Sequence, residues 1–326
     1  MIILFFGLGS SPKANAQKPL IPIPEPEVDS NYIKLDYKKW SLRAFGVIKF
    51  HTLILKSDKG GKVRYTPTDP LSIGLGFSYR FLLIDVGIRL NKDNTLSRLD
   101  LQGSLVLKKS LIEVLVQRYE GFQERADNSI DIFRNDLKSS LFAINHFYNF
   151  NNKKLSLGSV LAGNRIQKKS TGTFVLGSYI SFNQVKSDSS LVSSSSGNSF
   201  NEYANFTNLK TINFGAYFGY AYSLVLPHNF AFFSSLTPGL GFSFTKVEDD
   251  VSYTPPVFPS GKLHFRASLG HYAKKIYIIL SFSNYLSIIN LGHGNRYTLN
   301  AGQLKLAVGY RMKSKNKITE TIDKTF

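Results

Sequence analysis

The chain has 326 residues, of which 43% are hydrophobic, 13% aromatic and only 19% charged, with 26 Phe and 17 Tyr. The absence of cysteine excludes disulfides, thiolate catalysis and cysteine-bound zinc. A formal net charge of +18 invites a nucleic-acid reading, but Lys and Arg are spread over strand ends, turns and both tails. No nucleic acid is therefore expected, and anionic lipid or surface polysaccharide is the better match for the surplus.

Ile2 to Leu8 (IILFFGL) is a short apolar run, and Ala14-Asn15-Ala16 forms a small-x-small cleavage pattern before Gln17. The run is too short to cross a bilayer as a helix and lacks a basic flank. Residues 1–16 are read as a secretory signal peptide. Pro19 to Glu27 (PLIPIPEPE) favours an extended, unpaired chain, so 17–37 form a Pro-rich N-terminal segment. Residues 38–312 are assigned to one β domain and 313–326 to a basic tail.

Within 38–312 a period of two recurs. In NFGAYFGYAYSLVL, Phe214, Ala216, Phe218, Tyr220, Tyr222, Leu224 and Leu226 alternate with Asn213, Gly215, Tyr217, Gly219, Ala221, Ser223 and Val225. Strands are predicted at 38–56, 71–80, 82–90, 98–108, 110–119, 136–150, 154–163, 171–186, 210–226, 229–246, 261–272, 274–286 and 299–312. Many exceed the five or six residues usual in soluble sheets and suit tilted strands crossing a membrane. Tight connections at Arg80-Phe81, Lys108-Lys109, Asn151-Asn152-Lys153 and Pro227-His228 contrast with long ones at 57–70, 120–135, 247–260 and 287–298. Bacterial membrane barrels have that asymmetry and an even strand number. The rhythm slips between 163 and 209, so the expected fold is all-β, an antiparallel transmembrane β-barrel of about twelve strands, with fourteen as the other count. The alternative is a soluble secreted barrel or sandwich with the apolar face turned inward.

RYTPTDPLSIGLGFSY at Arg64 to Tyr79, QKKSTGTFVLG at Gln167 to Gly177 and FGYAYSLVL at Phe218 to Leu226 occur in that order. Together they resemble segments of an uncharacterised family of Bacteroidota outer-membrane-type β-barrels, known only as a domain of unknown function. The resemblance runs from about Lys38 to Met312. It implies a Gram-negative outer membrane, with membrane lipid and the barrel-insertion machinery as partners, and it transfers no activity or catalytic residue. Barrel-insertion signals usually end the chain with an aromatic residue on the last strand. Here the last predicted strand ends near Met312, so Tyr310 is a better final-strand aromatic than Phe326.

No dinucleotide, Walker-type, His-Glu-x-x-His or Gly-x-Ser-x-Gly motif is present. No cofactor, metal or enzymatic activity is expected. His264 and His271 fall on opposite faces of one predicted strand, and His293 lies in a Gly-His-Gly turn. Glu120 to Asp136 lacks calcium-loop spacing. An acyl hydrolase acting at the lipid face is the enzymatic alternative, with His146 facing lipid and Ser156 or Ser159 approaching it across a hairpin. The lumen-facing charges are expected to be Arg80, Asp85, Arg89, Asp100, Glu113, Arg266, Lys305 and Arg311. Paired, they would fill the interior; arranged as a ring, they would line a narrow anion-favouring channel.

Overall fold

The structure, a computed structural model, describes residues 27–35, 39–68, 70–89, 98–126, 131–159, 161, 163–192, 199–248 and 252–313. The expected signal peptide, most of the Pro-rich segment and the tail beyond 313 lie outside the described residues. The strands are β1 (Ile33–Leu35), β2 (Lys39–Ser57), β3 (Lys62–Pro67), β4 (Leu71–Tyr79), β5 (Leu82–Arg89), β6 (Arg98–Val106), β7 (Ser110–Ala126), β8 (Ile132–Asn149) and β9 (Arg165–Gln167). They continue as β10 (Thr171–Lys186), β11 (Asn208–Leu226), β12 (Phe230–Glu248), β13 (Phe258–Tyr272), β14 (Ile276–Gly292) and β15 (Asn295–Lys313).

β15 pairs along its whole length with β2, so the antiparallel sheet closes on itself. At the end bearing the tight turns, twelve strands form the ring. Of the thirteen predicted segments, the seventh, 154–163, is not a strand. β8 pairs directly with β10, from Asn149 opposite Val175 to Lys138 opposite Lys186. The chain between them folds inward, and its β9 pairs with β1 in a separate two-stranded sheet.

The opposite end is built differently. β2 pairs with β4 from Trp40 to Ile48, then with β3 from Leu53 to Lys56. β3 in turn pairs with the last residues of β7, so there one strand takes the place of β4, β5 and β6. The expected loop at 57–70 therefore contains a strand. The expected loop at 287–298 shrinks to His293-Gly294, whose φ values of 49° and 75° suit a two-residue type I′ hairpin turn. The 120–135 loop is mostly strand as well, because β7 runs to Ala126 and β8 starts at Ile132. Alternation fades in these stretches because the strands have left the apolar band, and lipid no longer sorts their outer residues.

Side-chain burial settles which face points out. On the β11–β12 pair Leu240 is 76% exposed, whereas inward-facing Tyr217 is 1% exposed. Leu75, Ile88, Phe174, Phe218, Leu236 and Leu306 are also outward and exposed. Such a continuous apolar surface is far larger than soluble monomers display, whereas a membrane barrel requires it. The inverted, soluble arrangement is excluded. Gly215 and Gly241 sit opposite each other with the Tyr179 hydroxyl over both, so a Cβ at either position would collide with that side chain.

Candidate functional site

The inward faces of the strands converge on the lumen, and this is where the sequence places its charged candidates. Along β7, counted from the tight turns, Glu113 comes first, then Gln117, Tyr119 and Glu124. Each marks a level of the interior.

At the lowest level the lumen is entered by the segment between β8 and β10. Leu155 and Leu157 pack with Leu83, Val106, Leu111 and Phe147. Arg165 donates to the Val106 carbonyl at 3.0 Å, and Asn149 to the Leu155 carbonyl at 2.8 Å. Arg311 donates to the carbonyls of Gly163 and Ala273, and its guanidinium lies against the Tyr277 ring. The Tyr272 hydroxyl donates to the Ser159 carbonyl at 3.0 Å. The bonds to Leu155, Ser159 and Gly163 cap the backbone of an irregular segment that would otherwise be buried unpaired, and those to Val106 and Ala273 tie into the barrel wall.

Above this plug lie two carboxylates. Asp85 accepts from Lys305 Nζ at 2.7 Å and Arg43 Nε at 2.8 Å. Glu113, 1% exposed, accepts from Arg266 at 2.5 Å and from the Tyr285 hydroxyl at 2.9 Å. His264 stacks on Tyr285 and Phe147 with ring centroids 4.2 and 5.0 Å apart. It faces inward while His271 lies opposite Phe230 on the outside. One level higher, Asp100 lies 2.7 Å from Lys49 Nζ and accepts from the Tyr119 hydroxyl at 2.7 Å. His51 stacks on Tyr119 and meets Ser139 at 2.8 Å and Gln117 at 3.2 Å. The lumenal cavities left between these groups measure about 40 and 30 Å³. That is room for a few water molecules each.

Of the eight predicted charges, Asp85, Asp100, Glu113, Arg266 and Lys305 meet in these pairs, while Arg311 is committed to the plug. Arg80 sits in the β4–β5 turn at φ 50°, one residue beyond the strand, with its guanidinium over the buried Tyr79 ring. Arg89 closes β5, and its side chain lies outside the described residues. Arg43, Lys49 and His51 are not foreseen. They share the inward register of β2 with Phe45, Val47, Leu53 and Leu55, so the polar-in pattern is broken there.

The far end is covered by the connection between β10 and β11. Its Leu191, Val192, Phe200, Ala204 and Phe206 join one apolar cluster with Tyr65, Phe122, Leu137 and Tyr297. Beneath it Arg134 donates to Asp136 at 2.8 Å, to Glu124 at 3.0 Å and to the Ser189 hydroxyl at 2.9 Å. The Arg134 guanidinium holds the Asp136 carboxyl well below the usual carboxylate range.

The hydrolase geometry is not assembled as expected. His146 does face outward, but it meets Ser110 at 2.9 Å. Ser156 and Ser159 are buried in the plug, where the Ser159 hydroxyl donates to the Ser156 carbonyl. Among the described residues no group of three or more His, Asp or Glu side chains is placed to hold a metal.

A family described as "Domain of unknown function (DUF4421)" matches residues 27–312. No curated protein matches the chain in sequence. Among solved structures, the outer membrane protease OmpT from Escherichia coli is similar at 7% identity and TM-score 0.40, covering 85% of this chain and 98% of its own. An outer membrane channel from Pseudomonas putida F1 is similar at 11% identity and TM-score 0.35, with the same shares of 85% and 98%. The transport unit of the autotransporter AIDA-I from Escherichia coli is similar at 12% identity and TM-score 0.35, over 84% and 90%.

Proposed function

Because the chain belongs to the family described as domain of unknown function DUF4421 and folds as a closed transmembrane barrel, we propose that it resides in a bacterial outer membrane as a sealed structural or adhesive barrel. Barrels of this kind are the β-form of membrane spanning, and bacterial ones carry their tight turns on the periplasmic side. The plug is then periplasmic, and the collar of long strands faces outward from the cell. Beyond the apolar band that collar presents exposed Lys56 and Arg296, paired across β2 and β15, a polar surface suited to contact with other polar surfaces.

The observation that carries the reading is the filled lumen. Chain enters it from both ends, and each mid-lumen carboxylate is matched by a cation. A channel would need those charges to face water, whereas here Arg266 is spent on Glu113 and Arg311 on backbone carbonyls. No catalytic step is assigned. A lipid-facing hydrolase would need a third group orienting His146, and its proposed serines lie in the plug.

Planar-bilayer recording tests the reading. The purified chain is expected to insert without conductance steps. Reproducible steps whose anion preference falls in R266Q would overturn it in favour of a narrow channel, and phospholipid turnover lost in H146A would overturn it in favour of a hydrolase.

A further inference from the structure

On β8 and β10 the outward residues form a ladder whose chemistry changes abruptly. Ile144 lies opposite Ile180, Phe142 opposite Phe182, Ser140 opposite Gln184, and Lys138 opposite Lys186. The first two pairs are apolar, and the two Phe rings lie 6.0 Å apart. The last pair sets two exposed lysines directly across from each other. Like charges so placed, with Cβ atoms about 4.5–5.5 Å apart, destabilise a sheet. Elsewhere along this boundary the repulsion is answered within the protein. Lys210 and Lys246, opposite each other on β11 and β12, share Glu248 at 3.0 and 2.9 Å, and Arg118 on β7 pairs with Glu120 at 3.0 Å. Glu120 stands opposite Lys138 on β7 but is taken by Arg118, and among the described residues no ion pair reaches Lys138 or Lys186.

The ion pairs of the fold do not include this pair, which leaves both ammonium groups open to a counter-charge from outside the chain. From Phe142 to Lys138 is about 13 Å along a strand, or about 10 Å of height once tilted. The lysines therefore stand across the headgroup layer, about 5–8 Å deep on each side of a bilayer. A molecule with an anionic head at that height and an apolar body against Phe142 and Phe182 is an anionic lipid.

We propose that Lys138 and Lys186, with Ser140 and Gln184 beneath them, form a binding site for the phosphate headgroup of an anionic membrane lipid. Both ammonium groups converge on the phosphate, the Ser140 hydroxyl and the second amide proton of Gln184, whose first is held by Asn208, donate to its remaining oxygens, and the acyl chains lie on the Phe142–Phe182 pair. Two cations and two neutral donors answer one phosphate diester; a zwitterionic headgroup would bring its own ammonium into the same space and be disfavoured. The proposal rests on the membrane-barrel reading above.

The test is native mass spectrometry of the refolded full chain in detergent with equimolar phosphatidylglycerol and phosphatidylcholine. Wild type is expected to retain phosphatidylglycerol preferentially. K138Q/K186Q is expected to lose about fivefold in that preference for each lysine removed, K138R/K186R to keep it, and K210Q/K246Q to leave it nearly unchanged. An unchanged preference in K138Q/K186Q overturns the site. Equal loss of phosphatidylglycerol and phosphatidylcholine on adding inorganic phosphate overturns its assignment to lipid. A heat-induced gel shift, run on every sample, separates the two readings. If wild type lacks the shift, the membrane-barrel reading falls. If only the double variant lacks it, K138Q and K186Q singly decide the site.

Discussion

The two ends of the barrel are entered by chain segments of similar length, and only one of them depends on carboxylates. At the tight-turn end, residues 150–170 are held by side chains reaching backbone carbonyls: Arg165 to Val106, Arg311 to Gly163 and Ala273, and Asn149 to Leu155. Guanidinium and amide donors do not titrate in any accessible range, and carbonyls never do. At the far end, residues 187–192 and 199–206 are held by apolar packing, by bonds from Arg134 and Tyr65 to the carbonyls of Ser189, Ser190 and Leu191, and by one carboxylate–guanidinium network around Arg134. A plug pinned through its backbone tolerates changes of pH. A cap that depends on carboxylates is the end that can be loosened.

Three measurements would break or sharpen that contrast. The largest effect is expected from Arg134→Ala. It leaves Glu124, 2% exposed, and Asp136 without their cation, a loss of about 3–5 kcal/mol for a buried pair. Limited proteolysis should then cut within 187–206 while the plug stays intact; equal protection of both segments would remove the distinction. Arg165→Gln comes next. It costs the charged bond to Val106, about 1.5–3 kcal/mol, and should raise hydrogen exchange in 155–167 without affecting the cap. The smallest effect is that of acid. Asp136 has a folded pKa held below its unfolded value of about 4, chiefly by its hydrogen bond to Arg134. Its contribution is therefore complete above about pH 4 and is lost as pH falls through the folded value. Protection from hydrogen exchange in 187–192, corrected for the intrinsic rate, should fall progressively as pH drops below about 5, where the unfolded carboxyl begins to protonate, with 155–167 unchanged. Parallel losses of protection in both segments would show that the ends do not differ in this respect.

Much of this architecture is legible in the residues. Strict alternation in 210–226 and 229–246 fixes those strands, since lipid outside and a crowded lumen inside demand opposite side chains at successive positions. The pairing of interior charge is legible as a possibility, because inward registers of β5, β7, β13 and β15 carry both signs. The segment 154–163 misleads because LSLGSVLA alternates apolar and small residues as a strand would. Leu155 and Leu157 are buried against Leu83, Val106 and Phe147 inside the ring instead. Period two reports that alternate residues have different neighbours, not which side of a wall they occupy. Beyond the apolar band it reports still less, which is why β3 and the I′ turn at His293-Gly294 go unread.

By itself, then, the sequence determined a membrane barrel with an apolar exterior and a charged interior, because each lipid-crossing strand is constrained locally, residue by residue. Tertiary structure alone decided that chain enters the lumen from both ends, which charge meets which, and that Lys138 and Lys186 stand face to face. Those facts depend on register between strands far apart in the chain and on where two irregular segments fold, and no local pattern encodes either.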